Sequence, residues 1–462
     1  VLTRIEIDGF KSFRDFTLDV PPFLVIIGRN AAGKSNLFDA IQFLSRLADD
    51  PLLEAAQQMR GEVPDLFHRH TDGSQMPVMT FAVEVLLGSS VTDAFGDTAE
   101  VNHSRLRYEL AIELRSAGPG GSRRPYVLRE AAYRISKSDD DALRALIPRW
   151  KQVASYRGGG RELLETERDE QGRAVFSLFP AVKGRERRLP ATAATATVLS
   201  SLTTATDYPL LYALKRELRS WRLLHLDPSA LRTPDWYDDP DSLAPNGAHL
   251  ANTLRYLAVA TGTDDRPEGA LNDLSADVAE VIPGVVRVRL AEDEARRQRQ
   301  VEVATRDEAP FSARVASDGT LRAIALLAAL YDPRGAGLIC FEEPENGIFP
   351  QRLAQFVRYL RALVDRSLEQ RDDGGDHRLT QLILSSHSPA ILRALERGQG
   401  GGRLDAVYLD VVTRVRKGEP RSRITRSRRI GSDELALDLE DPSGVVSKAE
   451  IAEFEVLETL DR

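Results

Sequence analysis

The sequence predicts an α/β fold whose core is cut in two along the chain by an inserted lobe of mixed α/β character. Three observations predict it. Gly28-Arg29-Asn30-Ala31-Ala32-Gly33-Lys34-Ser35 matches G-x-x-x-x-G-K-[ST], the phosphate-binding P-loop. Leu338-Ile339-Cys340-Phe341-Glu342-Glu343 is an apolar strand pattern ending in two carboxylates. The long interval between them alternates strand and helix patterns without sustained heptads.

Taken in order, Phe23–Ile27 is a short apolar, β-branched run, read as a buried strand. Leu37, Phe38, Ile41 and Leu44 follow the P-loop at helical spacing. Strand, glycine loop and helix start form the geometry in which backbone N–H groups and a helix N-terminus hold phosphate. Asn30, Ala31, Ala32, Gly33, Lys34, Ser35 and Asn36 are the candidate contacts. Thr80–Leu87, Leu106–Arg115 and Tyr126–Ser136 read as strands, and Thr192–Asp207 and Pro209–Leu224 as helices. Thr233–Gly247, rich in Pro, Asp and Asn, reads as a loop before a helix over Ala248–Ala260. Val286–Leu290 and Val301–Thr305 read as strands around a charged tip, Ala291–Gln300. Ser317-Asp318-Gly319-Thr320 opens an apolar helix that runs from Leu321 to Tyr331. Gln381–Ser386 is a strand pattern ending at His387, and Ser447–Leu460 a terminal helix with Ile451, Phe454, Val456 and Leu457 on one face. The expected division is residues 1–95 and 286–400 for the two core halves, 96–285 for the inserted lobe and 401–462 for a basic hairpin and the terminal helix.

Carboxylates at a strand's C-terminal edge stand where open α/β sheets bind ligands. Glu342 is the expected Mg²⁺ holder and Glu343 the general base on water. Ser317–Thr320 is a small polar turn at a helix start, a second anion site, and His387 is placed to hydrogen-bond a γ-phosphate. Alone, each motif has an ordinary explanation: a solvated strand end, a helix N-cap, a loop histidine. Their order is the stronger signal, with Glu342 about 25 residues after Ser317 and His387 about 44 after Glu343.

Composition agrees. A chain of 462 residues exceeds one hydrophobic core, and 29% charged with 42% hydrophobic residues is ordinary for a soluble protein. No apolar run is long enough to span a membrane and no signal-peptide pattern opens the chain, so a cytoplasmic protein is expected. The one cysteine, Cys340, lies inside a predicted buried strand and is read as packing. A net charge of −8 argues against general coating of nucleic acid. It does not exclude a local basic face, and Arg414, Arg416, Lys417, Arg421, Arg423, Arg426, Arg428 and Arg429 form one candidate contact with duplex DNA. The ordinary reading of that run is a solvated hairpin. Arg185, Arg187 and Arg188 make a weaker cluster.

The four motifs together resemble those of ABC-type ATPases of the RecF/SMC/OLD branch, the stand-alone bacterial AAA family ATPases of defence and repair. Ile7-Asp8-Gly9-Phe10-Lys11-Ser12-Phe13-Arg14 resembles that branch's opening strand, "GFKSF", which implies that Lys11, Ser12 and Arg14 help frame adenine and phosphates. Ser317-Asp318-Gly319-Thr320 resembles its signature, and Glu343-Pro344-Glu345-Asn346-Gly347 its Walker B and D-loop. Leu243–Ala251 resembles a further segment common in these proteins. The resemblance covers roughly residues 1–90 and 220–400.

It implies ATP and Mg²⁺ as ligands, Ser35 and Glu342 at the metal, and a head-to-head dimer in which Ser317 and Gly319 complete the partner's nucleotide site. The interval from Ser35 to Ser317 is longer than in a transporter ATPase and shorter than in an SMC protein with its coiled coil. A metabolic P-loop kinase leaves Ser317–Thr320 and His387 unexplained. Phe349-Pro350 stands where the branch usually has His-Pro. The Q-loop glutamine stays unassigned: Gln42 is too close to the P-loop, and Gln75 is better placed but shares its region with Leu66–His70. The residues after His387 include Gly398–Gly402 and an acidic group, Asp438, Glu440 and Asp441, with no room for the Toprim nuclease domain of OLD relatives. A separate nuclease or toxin chain is the expected effector. The alternative is an ATP-gated scaffold that holds or releases an effector without touching DNA.

Overall fold

The computed structural model describes residues 1–116, 122–146, 150–180, 186–306, 308–334, 337–348, 350–367, 379–388, 391, 395, 405–430, 445–446 and 450. Arg185, Phe349, the Gly398–Gly402 run, the Asp438–Asp441 acids and the docking face expected on Ser447–Leu460 lie outside them. The chain forms two compact units, one of Val1–Trp221, Ser367–Gln381 and Asp405–Ser447, the other of Arg222–Arg366, Leu382–Leu404 and Lys448–Arg462. The boundaries expected at 95/96 and 285/286 fall inside these units.

Along the chain, the first unit carries β1 (Leu2–Asp8), β2 (Phe16–Asp19), β3 (Phe23–Ile27), α1 (Lys34–Arg46), α2 (Leu52–Gln57), β4 (Val78–Leu86), β5 (Ser90–Thr92), β6 (Thr98–Glu100), β7 (Arg105–Ser116), β8 (Arg123–Arg134), α3 (Asp141–Leu146), β9 (Glu162–Arg168), β10 (Ala174–Leu178), β11 (Arg187–Pro190) and α4 (Pro209–Ser220). The second carries β12 (Arg222–Leu224), α5 (Pro228–Arg232), β13 (Asp235–Trp236), α6 (Leu250–Thr261), α7 (Ala270–Val281), β14 (Val285–Asp293), β15 (Gln298–Thr305), β16 (Phe311–Ser312), α8 (Asp318–Tyr331), β17 (Gly337–Glu342), α9 (Pro350–Ser367) and most of β18 (Thr380–Ser386). The chain then returns to the first unit as β19 (Ala406–Arg414), β20 (Ser422–Ile430) and β21 (Val445–Val446).

In the first unit an antiparallel sheet runs in the order β11-β10-β9-β8-β7-β4-β1-β2. Period-two alternation builds it: Ile5, Ile7, Phe81, Val83, Tyr108 and Leu110 are buried. The intervening Arg107 pairs across strands with Glu6 at 2.8 Å and Glu84 at 3.4 Å, and along its own strand with Glu109 at 2.7 Å. Strands expected in an inserted lobe therefore extend the sheet that β1 begins. Phe10, Phe43 of α1 and Phe81 of β4 pack ring against ring, with centroids 5.4–6.1 Å apart, so the helix after the P-loop is anchored to this sheet.

The helix expected over Thr192–Asp207 does not form; only a short 3₁₀ turn, Leu199–Ser201, is present. Neighbours claim its backbone instead. Ala194 O accepts from Val127 N, Thr195 O from Leu52 N, and the Glu130 carboxylate accepts from Val198 N (2.6 Å) and Leu199 N. The helix expected over Pro209–Leu224 ends at Ser220, and its last residues become β12.

In the second unit β12 runs parallel to β17, whose other neighbour is β18. Leu338–Phe341 and Leu382–Leu384 are buried, the continuous apolar pattern of a strand covered on both faces. Cys340 is buried within β17, and its surroundings raise its thiol pKa by desolvation, consistent with packing. β14 and β15 form the hairpin read from sequence. Helix α8 is buried along most of its length through Leu321, Ala325, Leu326 and Ala328.

Candidate nucleotide-binding site

The P-loop joins fully buried β3 to α1. Two backbone positions require its small residues. Gly33 caps α1 at φ 99°, and Gly28 lies so close to β19 that a Cβ would stand 2.5 Å from Leu409 O. Ala31 is also left-handed, at φ 62°. Asn30 and Ala31 are exposed, Ala32 and Gly33 buried, and Lys34, Ser35 and Asn36 half-buried. No side chain caps the start of α1. The first-turn amides of a helix have no intrahelical acceptor and attract anions. Lys34 Nζ donates to Gly28 O and Arg29 O, which holds its ammonium against the loop. These features fit a bound polyphosphate, and the half-buried Ser35 hydroxyl fits a hard cation beside it.

The opening turn and the basic hairpin brace this loop. Ser12 Oγ accepts from Asn36 Nδ2 at 2.9 Å and lies 2.7 Å from Thr425 Oγ1, which donates to Ala32 O at 3.0 Å. Lys11, at φ 45°, is ion-paired at 2.5 Å to buried Asp39 of α1. Arg14 bonds Asp8 at 2.9 Å. Lys11 and Arg14 are thus committed to carboxylates of their own unit. Gln75 is likewise committed, to Pro64 O and to Arg123 at 2.7 Å, and Gln42 is half-buried on α1.

The basic run proves to be β19 and β20. β19 pairs parallel with β3, Val407 beside Ile26 and Tyr408 beside Ile27, so the hairpin belongs to the P-loop's own sheet. Five of its eight cations have carboxylate partners: Arg414 and Arg416 at Asp15, Arg426 and Arg428 at Asp410, and Arg429 at Asp19. Exposed Lys417, Arg421 and Arg423 have no ion pair among the described residues. Arg188 of the weaker cluster is paired with Glu186 at 2.7 Å.

In the second unit, β17 delivers Glu342 and Glu343 as read. Glu342 Oε2 is 2.8 Å from His225 Nδ1, just beyond β12. Glu343 turns the chain at φ 52°; its N–H donates to Ser385 O, and its Oε2 accepts from Asn346 Nδ2 at 2.6 Å. His387 follows β18 and places Nδ1 3.7 Å from Glu343 Oε1 and 3.6 Å from Glu345 Oε1. That buried nitrogen has no hydrogen-bond partner among the described residues. Glu343, Glu345, Asn346 and His387 therefore converge at one sheet edge, a polar set suited to orienting a water.

The signature turn is built against the same edge. Ser317 caps α8, its Oγ accepting from Thr320 N at 3.2 Å. Gly319 is buried against Gly347, and a Cβ on it would meet Gly347 O at 1.8 Å. Arg232 of α5 binds Asp318 and donates to Ala316 O at 2.9 Å. Arg322 donates to Leu226 O at 2.9 Å. Thr425, His225, Arg232 and Asn346 escape sequence reasoning because no motif contains the first three in recognisable spacing, and Asn346 in a D-loop pattern reads as turn chemistry.

Comparison with known proteins agrees with the motifs. A stretch at 50% identity over 44 residues (9% of this chain, 4% of that protein) is shared with the chromosome partition protein Smc of Methanocaldococcus jannaschii. A second, at 30% over 118 residues, covers 25% of this chain and 10% of Smc from Methylococcus capsulatus. The matches thus span a tenth or less of these relatives' length. Among solved structures, the Pyrococcus furiosus Smc head with an extended coiled coil, bound to the C-terminal domain of ScpA, is similar with a TM-score of 0.47 at 12% identity, covering 100% of this chain and 99% of that one. The SMC head of Thermotoga maritima gives a TM-score of 0.38 at 10% identity, covering 93% and 99%. No helix among the described residues is long and apolar enough to cross a membrane. A family model described as "AAA domain, putative AbiEii toxin, Type IV TA system" matches residues 23–393, and the chain belongs to that family.

Proposed function

We propose that this chain binds and hydrolyses ATP, pairs head-to-head with a second copy around two ATP molecules, and acts on DNA in bacterial defence or repair together with a separate nuclease or toxin chain. The observation that carries the nucleotide reading is the start of α1: a left-handed Gly33, first-turn amides that no side chain caps, and Lys34 folded over the loop. Lys34 and the amides hold the β- and γ-phosphates. Ser35 and Glu342 would hold Mg²⁺, which would supply charge neutralisation for the transferring group. Glu343 orients the attacking water, with Asn346 fixing one of its oxygens. His387 senses the γ-phosphate through its unpartnered nitrogen. Ser317 and Gly319 complete the partner copy's site. The toxin wording of the family description and the chromosome-partition names of the relatives support a defence or DNA setting.

The test is ATP turnover of the purified chain with and without duplex DNA across a salt series, with Lys34→Ala as the control that abolishes nucleotide binding. Three unpaired cations predict a shallow response, with log K falling against log salt at a slope of about −3. The scaffold reading draws on the same hairpin, because Asp15, Asp19 and Asp410 already neutralise five of its cations. Turnover indifferent to DNA favours that reading and turns the search to a bound protein partner.

A further inference from the structure

A second cluster in the Arg222–Arg366 unit is independent of the nucleotide chemistry. Asp235 of β13, Asp239 in the following turn and His249 at the N-cap of α6 bring donor atoms within 4.8 Å of one another. The Asp235 side chain is only 5% exposed. One oxygen of each carboxylate is tied to backbone: Asp235 Oδ2 accepts from Asn252 N at 3.0 Å and Asp239 Oδ2 from Trp236 N at 2.7 Å. Asp235 Oδ1 faces His249 Nδ1 at 3.9 Å, too far for a hydrogen bond. That imidazole nitrogen is buried and has no hydrogen-bond partner among the described residues. A buried polar atom without a partner is costly. The nearby cation is directed elsewhere: Arg299 donates to Asn252 Oδ1 and Glu292 and stacks on Tyr237.

We propose that Asp235, Asp239 and His249 bind a first-row divalent cation, zinc by preference, which clips β13 to the N-terminus of α6 across the Pro/Asp-rich Thr233–Gly247 loop. Two carboxylates and one imidazole suit zinc or manganese; calcium asks for six to eight oxygens. Water fills the remaining positions. Bridging Asp235 Oδ1 and His249 Nδ1 gives the unpartnered nitrogen its partner and the buried carboxylate its countercharge.

The experiment uses the full chain, stripped with EDTA and free of nucleotide, titrated with zinc chloride by calorimetry. One site per chain is expected, with affinity lowered more than about 100-fold in both Asp239→Asn and His249→Asn. Zinc should also raise the wild-type unfolding temperature and give an anomalous scattering peak beside His249 in crystals; these two readouts need no variant to fold. No zinc uptake by the wild type, a peak elsewhere only, or equal uptake by folded variants overturns the proposal. ATP turnover takes no part in this test, so failure of either reading leaves the other distinguishable.

Discussion

At the scale of single residues, the glycines explain why motif positions admit so little change. Gly319 stands where any Cβ would press on the Gly347 carbonyl, a backbone group that cannot rotate away. Gly319→Ala is therefore expected to cost about 2 kcal/mol or more through overpacking, and to displace the signature turn. Urea unfolding read beside ATP turnover checks this; an unchanged midpoint would contradict the tight contact. Lys34 and Ser35 in the P-loop, and Glu342, Glu343 and His387 at strand ends, were legible as motif positions because local residue type and spacing carry them. His225 and Thr425 were not, since each meets its partner only through the fold: His225 joins Glu342 across neighbouring strands, and Thr425 reaches the P-loop from the far end of the chain.

At the scale of elements, the segment 192–207 shows tertiary contacts overruling a local pattern. Its alanines favour a helix, but its threonines, serines and Val198 suit one only weakly, and the fold assigns its amides elsewhere. Glu130, fully buried on β8, accepts from Val198 N, Leu199 N and Tyr108 OH at 3.0 Å. Desolvation pushes its carboxyl up to about 7 against the pull of those donors. A carboxyl raised above its unfolded value near 4.5 stabilises the fold most below that value, and the contribution is lost as pH rises through about 7. Stability is expected to fall over that window by roughly 3 kcal/mol on this account. Glu130→Gln should flatten the profile while lowering stability at acid pH. Denaturant melts at several pH values decide it, and an unchanged slope in the variant would remove Glu130 as the cause. Strands β4, β7, β8 and β15 were legible because two-residue alternation survives on a sheet with one charged face. The run 414–429 was legible as a hairpin; its place beside β3 was not, because parallel pairing leaves no mark at either partner's sequence position.

At the scale of the whole molecule, the proposed cycle predicts a change of assembly. Glu343→Gln keeps an acceptor for Asn346 but removes the base, so ATP should persist and trap the dimer. Light scattering is expected to show a doubled mass with ATP and Mg²⁺ and a monomer without them. A variant that turns over ATP at the wild-type rate would remove Glu343 from the role of base. By itself the sequence determined the P-loop, the order of the motifs and the strand-rich character of the middle, because each rests on local residue type and periodicity. Only tertiary structure decided that the middle strands extend the β1 sheet, that most of the basic hairpin's charge is neutralised, that Thr192–Asp207 is not a helix, and that Asp235, Asp239 and His249 meet. Those outcomes depend on which distant backbone and carboxylate groups come within bonding reach, and no local pattern records that.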